Sequence, residues 1–90
     1  MDLQFDSVEE LYKRLTPALK SKVYELKKQG YNYLEIEDVW NYLKEIKWRG
    51  RVNLSLNEMV SDIFSSDNAL IDDYFKDKLN AKKRKLYFES

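Results

Sequence analysis

Pro17, Gly30 and Gly50 are the only proline and glycines in a chain of 90 residues. Tight turns lean on these two residue types, because glycine reaches positive φ without strain and proline presets the φ of a turn. So few of them leave little room for the many reversals of a β-sandwich or barrel, and helices joined by short links fit better. The length argues for one domain spanning 1–90, with one modest core. Seven Tyr, four Phe and two Trp supply large burial per residue, which suits such a core.

Apolar spacing fills in the helices. Ser7-Val-Glu-Glu10 reads as a capping box, followed by Val8, Leu11, Tyr12 and Leu15 at helical intervals, which predicts a helix over 8–15. Thr16-Pro17 then reads as a fresh N-cap with proline at the first helical position, opening a helix over 17–29 with Leu19, Val23 and Leu26 on one face. Lys27 and Lys28 suit its negative end and Gly30 its stop. One helix bent at Pro17 is the alternative. Glu35, Glu37 and Asp38 introduce a third helix over 36–48 that presents Ile36, Val39, Trp40, Leu43 and Ile46. After the link 49–54, where Val52 and Leu54 suggest a short extended piece, Ser55-Leu-Asn-Glu58 is a second capping box. It opens a helix over 56–65 with Leu56, Met59, Val60, Ile63 and Phe64. The last helix is expected over 69–86 with Leu70, Ile71, Tyr74, Phe75 and Leu79; its stripe thins after Leu79, leaving the basic tail 82–90 open to fraying. The fold class is all-α, a compact bundle of four to five short helices.

Composition removes several functions. There is no cysteine and no histidine. Disulfides are impossible, and the usual general base and commonest metal ligand are absent. No glycine-rich phosphate loop exists, and a Ser or Thr nucleophile lacks a histidine partner. Asp72, Asp73 and Asp77 include one i, i+4 carboxylate pair, a pattern far commoner on solvated helix faces than in metal sites. A non-enzyme without cofactor or metal is expected. No apolar run approaches the roughly 20 residues that span a bilayer, and MDLQFD lacks the basic-then-apolar order of a signal peptide. A soluble cytoplasmic protein with no membrane insertion is therefore expected.

Net charge is zero but blocked: −4 over 1–12, +5 over 13–51, −5 over 52–77 and +4 over 78–90. Such blocks allow both a local anion-binding surface and internal pairing. Two cationic stretches stand out. In the first, Lys44, Lys47, Arg49 and Arg51 surround Trp48. A flat ring flanked by cations suits an unpaired base, through stacking and phosphate contact. The competing reading has Trp48 closing the end of the core while the cations offset the helix C-terminus. The second, Lys82, Lys83, Arg84 and Lys85, is either a solvated helix end or a phosphate-contacting tail. Trp40 lies in the apolar stripe and is expected in the core. Tyr31 and Tyr33 either stack on bases or bridge core and water.

The stretches VEELYKRLTPALKSKVYELKKQGY (8–31), EDVWNYLKEIKWR (37–49) and LNEMVSDIFS (56–65) together resemble the small post-transcriptional regulator family of Gram-positive bacteria, the ComN-like proteins. The pattern around Pro17 to Lys22, the Gly30-Tyr31 stop and Glu37-Asp38 before Trp40 are its most specific pieces. Ser or Thr is expected at the cap of the third helix, where this chain offers Glu35 or Ile36. The resemblance implies a cytoplasmic regulator acting at the level of mRNA, through untranslated regions or through a protein that touches the RNA. It implies no catalytic site and brings no set of binding residues with it. Two functions follow as expectations: direct mRNA binding through the Lys44–Arg51 edge and the basic tail, or a protein–protein adaptor that affects RNA indirectly. A DNA-reading helix-turn-helix is a weaker third, because Leu56–Phe64 carries no basic residue.

Overall fold

A computed structural model of the chain describes residues 8–51 and 54–89, with 82–89 described as backbone. The described residues form four α-helices and no strand: α1 (Val8–Lys28), α2 (Ile36–Tyr42), α3 (Leu56–Ser65) and α4 (Asn68–Glu89). A five-residue π-helical segment, Leu43–Lys47, continues α2. Ser7, at the first expected capping box, and Val52 and Asn53, in the expected extended piece, lie outside the described residues.

The alternative of one continuous first helix is the one realised. Leu11, Leu15, Leu19, Lys22, Val23 and Leu26 form a single buried stripe that crosses Pro17 without changing face. An interior proline costs about 3 kcal/mol through its missing N–H and its clash with the preceding turn. Burying Leu15 and Leu19 on either side returns roughly 1.5–3 kcal/mol each, enough to hold the helix together. Pro17 itself is exposed, so the carbonyl it leaves unpaired lies on the wet side. Thr16 is not an N-cap. Its hydroxyl donates to the Tyr12 carbonyl at 2.7 Å, the back-bond of a mid-helix threonine.

The end of α1 follows the glycine expectation. Gly30 sits at φ +102°, the Tyr31 N–H reaches back to the Leu26 carbonyl at 3.0 Å, and the Gly30 N–H reaches Lys27 at 3.1 Å. This is the paired closure of a Schellman motif. The third cap needs no Ser or Thr: the Glu35 N–H donates to Asp38 Oδ2 at 2.8 Å. Lys27 Nζ binds the Glu35 carboxylate at 2.7 Å, so the end of α1 is tied to the start of α2. At α3, the Glu58 N–H donates to Ser55 Oγ at 3.1 Å as the sequence suggested.

The third helix departs from expectation at its second half. An α-turn after Leu43 would bring Ile46 and Lys47 toward the core, three and four residues on. The π segment takes up one extra residue, with the Trp48 N–H bonding the Leu43 carbonyl five residues back at 2.7 Å. The inward position after Leu43 therefore falls on Trp48. Ile46, expected in the apolar stripe, is instead 55% exposed, and Trp48 is 4% exposed.

One core joins all four helices. Leu11, Leu15, Leu19 and Leu26 of α1 meet Val39, Trp40 and Leu43, Met59 and Ile63 of α3, and Ile71 of α4, with Leu34 and Leu54 plugging the links. Phe64 and Leu70, both expected inside, are largely exposed. From Lys76 to Ala81 every residue of α4 is exposed, so its apolar stripe ends at Phe75, earlier than the sequence suggested.

Candidate functional site

The Lys44–Arg51 edge starts on the outer side of the π segment and turns through Gly50, whose φ of +73° suits glycine and strains other residues. The Arg51 N–H closes that turn on the Trp48 carbonyl at 3.1 Å. Trp48 is not part of the surface. Its ring meets Trp40 edge to face with centroids 6.0 Å apart, and its Nε1–H donates to Asp62 Oδ2 of α3 at 2.8 Å. Of the two readings, the exposed stacking ring is corrected and the competing one holds: Trp48 closes the core, because the π register turns it inward.

The four cations remain at the surface. Lys44 is exposed with its Nζ 5.5 Å from the centroid of Trp40, covering the outer side of that ring. Lys47 is half-buried and Arg49 exposed, and neither makes an ion pair among the described residues. Arg51 Nη2 lies 3.8 Å from Glu58 Oε2, with both side chains about half exposed. A solvated pair at that distance contributes about 0–1 kcal/mol, so a phosphate could displace it at little cost. Acid in the same segment is already engaged. Lys78 lies 2.9 Å from Glu45; that pairing first, and the Tyr74 hydroxyl second, hold the Glu45 carboxyl below its ordinary value.

The side chains of Lys82, Lys83, Arg84 and Lys85 lie outside those described; the backbone there is α4 helix, which runs to Glu89, past the expected end at 86. The connector tyrosines bridge core and water. Tyr31 packs on the core. Tyr33 donates its hydroxyl to Asp72 and lays its ring 5.3 Å from that of Phe75. Asp72 also pairs with Lys76 at 2.9 Å. Burial alone would raise Asp72, but the bonds from Tyr33 and Lys76 outweigh it and hold the carboxyl below the usual aspartate value. No cluster suited to a metal ion occurs among the described residues.

A cleft of about 250 Å³ lies between α2 and α4, lined by Asp38, Asn41, Glu45, Tyr74, Phe75, Lys78 and Leu79. Burial first, and then the Glu45 carboxylate, push the Tyr74 phenol up to about 12. A phenol held there neither gives nor takes a proton readily near neutrality.

Two residues with structural consequences were overlooked in the sequence. Lys22 is 1% exposed. Its Nζ donates to the Ser66 carbonyl at 2.8 Å and to Glu25 Oε2 at 3.2 Å. It caps the C-terminal end of α3 from inside the core. Its position three residues after Leu19 and four before Leu26 was a legible signal. Asp62, which receives the Trp48 indole, had none: it is a partner only because the π segment turns the indole toward α3.

A family model described as "Post-transcriptional regulator" matches residues 8–86. The post-transcriptional regulator ComN of Bacillus subtilis (strain 168) is 44% identical over 57 residues, a stretch covering 62% of this chain and 58% of that protein. The match thus spans less than two thirds of that relative's length. No solved structure matches the chain. No helix among the described residues is long and apolar enough to cross a membrane.

Proposed function

Because this chain belongs to the post-transcriptional regulator family, we propose that it regulates after transcription, without catalysis, by touching mRNA directly through Lys44, Lys47, Arg49 and Arg51. One observation carries the reading: Lys44, Lys47, Arg49 and Arg51 fall within eight residues ending in the Gly50 turn, and the one ion pair any of them makes among the described residues is the loose one of Arg51 to Glu58. With Trp48 buried, the contact at this edge is to phosphate. Phosphate contacts position an RNA and set the salt dependence of its binding; they do not read its bases. The basic tail at 82–85 is a further phosphate contact in this reading, and the message is bound in the cytoplasm, through an untranslated region.

The adaptor reading has its own observation. The π segment turns Ile46 outward, and with Leu70, Tyr42 and Tyr74 it lines a shallow groove of about 210 Å³. A protein partner seated there would influence RNA at one remove.

Ultraviolet crosslinking of RNA in cells, with mapping of the attached peptide, separates the two. Nucleotide attached to the peptide bearing Lys44–Arg51 is expected. Recovery of one protein partner, with purified RNA unbound even at low salt, would replace direct contact with the adaptor.

A further inference from the structure

The burial of Trp48 leaves the Lys44–Arg51 edge without a ring, and the most exposed large ring among the described residues lies elsewhere. Tyr24, on the solvent side of α1, is 67% exposed. Lys28 Nζ sits 5.3 Å from its ring centroid. Successive residues of an α-helix turn by about 100°, which places Lys13, Lys20, Tyr24 and Lys28 within an arc of roughly 80° and along about 22 Å of helix. All four are exposed. The acid nearest to Tyr24 and Lys28, Glu25, is turned toward Lys22, Lys27 is taken by Glu35, and at the N-terminal end of the face the exposed Glu9 lies one turn before Lys13. Between 13 and 28 Tyr24 is the only exposed large apolar side chain, so the face offers nothing to enter a lipid interior, which an interfacial helix requires.

We infer that this face of α1 is a second nucleic-acid site, at which an unpaired RNA base stacks on Tyr24 while Lys13, Lys20 and Lys28 hold the phosphates on either side. The ligand class follows from the chemistry. Cations in a row attract a polyanion; a solvent-facing ring among them takes a base whose face is free, and only an unpaired base offers one. Lys28 already lies against the ring, so a phosphate bound by it would be next to the stacked base. The inference rests on the reading that the chain touches RNA. It adds that the strand is single and that selection for it lies on α1.

The test uses the full chain with two fluorescent oligonucleotides of equal length, oligouridylate and an abasic backbone. Tyr24→Ala is expected to weaken oligouridylate about tenfold, within the range one base–aromatic stack supplies. The same change should leave the abasic strand unaltered, and Tyr24→Phe should restore uridylate binding. Lys20→Ala is expected to weaken both strands and to flatten the salt dependence by roughly 0.7 in log–log slope, one phosphate's worth for a single strand. Equal weakening of both strands by Tyr24→Ala, or of neither, would overturn the stacking site. If Lys47→Ala/Arg49→Ala/Arg51→Ala abolishes binding while Tyr24→Ala does nothing, the α1 site falls and the edge stands. If Tyr24→Ala acts and the triple change does not, the edge falls and α1 stands. Capture of the protein by anionic phosphatidylglycerol vesicles through Lys13, Lys20 and Lys28, with no oligonucleotide bound, would reassign the face to a membrane surface and overturn the proposal.

Discussion

The indole of Trp48 donates to Asp62 at 2.8 Å, fastening the end of the π segment to α3. This bond joins the edge that carries the cations to the core that fixes its shape. Removing the acceptor leaves a buried N–H unpaired, which costs about 1–3 kcal/mol. Asp62→Ala should lower stability by that amount in urea unfolding. Trp48→Ala, which also opens a cavity, should cost roughly 3–5 kcal/mol.

The π segment makes a sharper prediction about register. Deleting Lys47 would set Trp48 four residues after Leu43, an ordinary α spacing that still faces the core. That deletion should retain the fold. Deleting Asn41 instead rotates Leu43 and Trp48 away from the residues they meet and should cost more than about 3 kcal/mol. Circular dichroism melts of the two deletions compare them directly; equal destabilisation would mean the extra residue has no role in turning Trp48 inward.

Lys22 holds α1 to the end of α3 through the Ser66 carbonyl. Lys22→Met keeps most of the packing and removes the donor. The buried carbonyl is then left without its partner, and about 1–3 kcal/mol of stability should go. Lys22→Glu places an unpaired acid in the same position and should prevent folding at 37 °C, read as disappearance of the cooperative melt.

Much of the fold was legible in the sequence, for reasons specific residues make plain. The Gly30 stop, the Ser55 cap and the α3 span follow from local chemistry, and local chemistry is what sequence displays. Pro17 was ambiguous because a local rule, the N-terminal preference of proline, opposed a longer-range one, the unbroken stripe from Leu15 to Leu19; the stripe prevailed because its burial outweighs the local cost. The π segment was not legible. Ile46 and Trp48 compete for one inward position, and choosing the larger ring depends on Trp40 and Asp62, which are brought there by the fold. The cationic edge was readable as charge, and the burial of Trp48 was one of the two readings its sequence left open.

Acid should destabilise the protein through Asp72 and Glu25. Both carboxyls sit below their ordinary values. For Asp72 burial opposes the shift, and the bonds from Tyr33 and Lys76 overcome it. For Glu25 Lys22 acts first and Asn68 second. A carboxyl depressed in the folded state contributes stability above its unfolded value, and that contribution fades as pH falls through the folded value. Stability should therefore hold down to about pH 4, near the unfolded values of Asp and Glu, and decline below it. Asp72→Asn should be less stable at pH 7 and show a flatter acid limb in denaturant midpoints measured across that range.

In the proposed function the Lys44–Arg51 edge meets RNA through phosphate. The most direct measurement is oligonucleotide affinity as a function of salt, for the parent chain and for Lys47→Ala/Arg49→Ala/Arg51→Ala. Affinity is expected to fall steeply with salt in the parent, and the log–log slope of the variant to be flatter by roughly 2, about 0.7 for each single-strand phosphate that is no longer neutralised. The variant should keep the parent's unfolding midpoint. A folded variant with the parent's affinity and slope would contradict that contact.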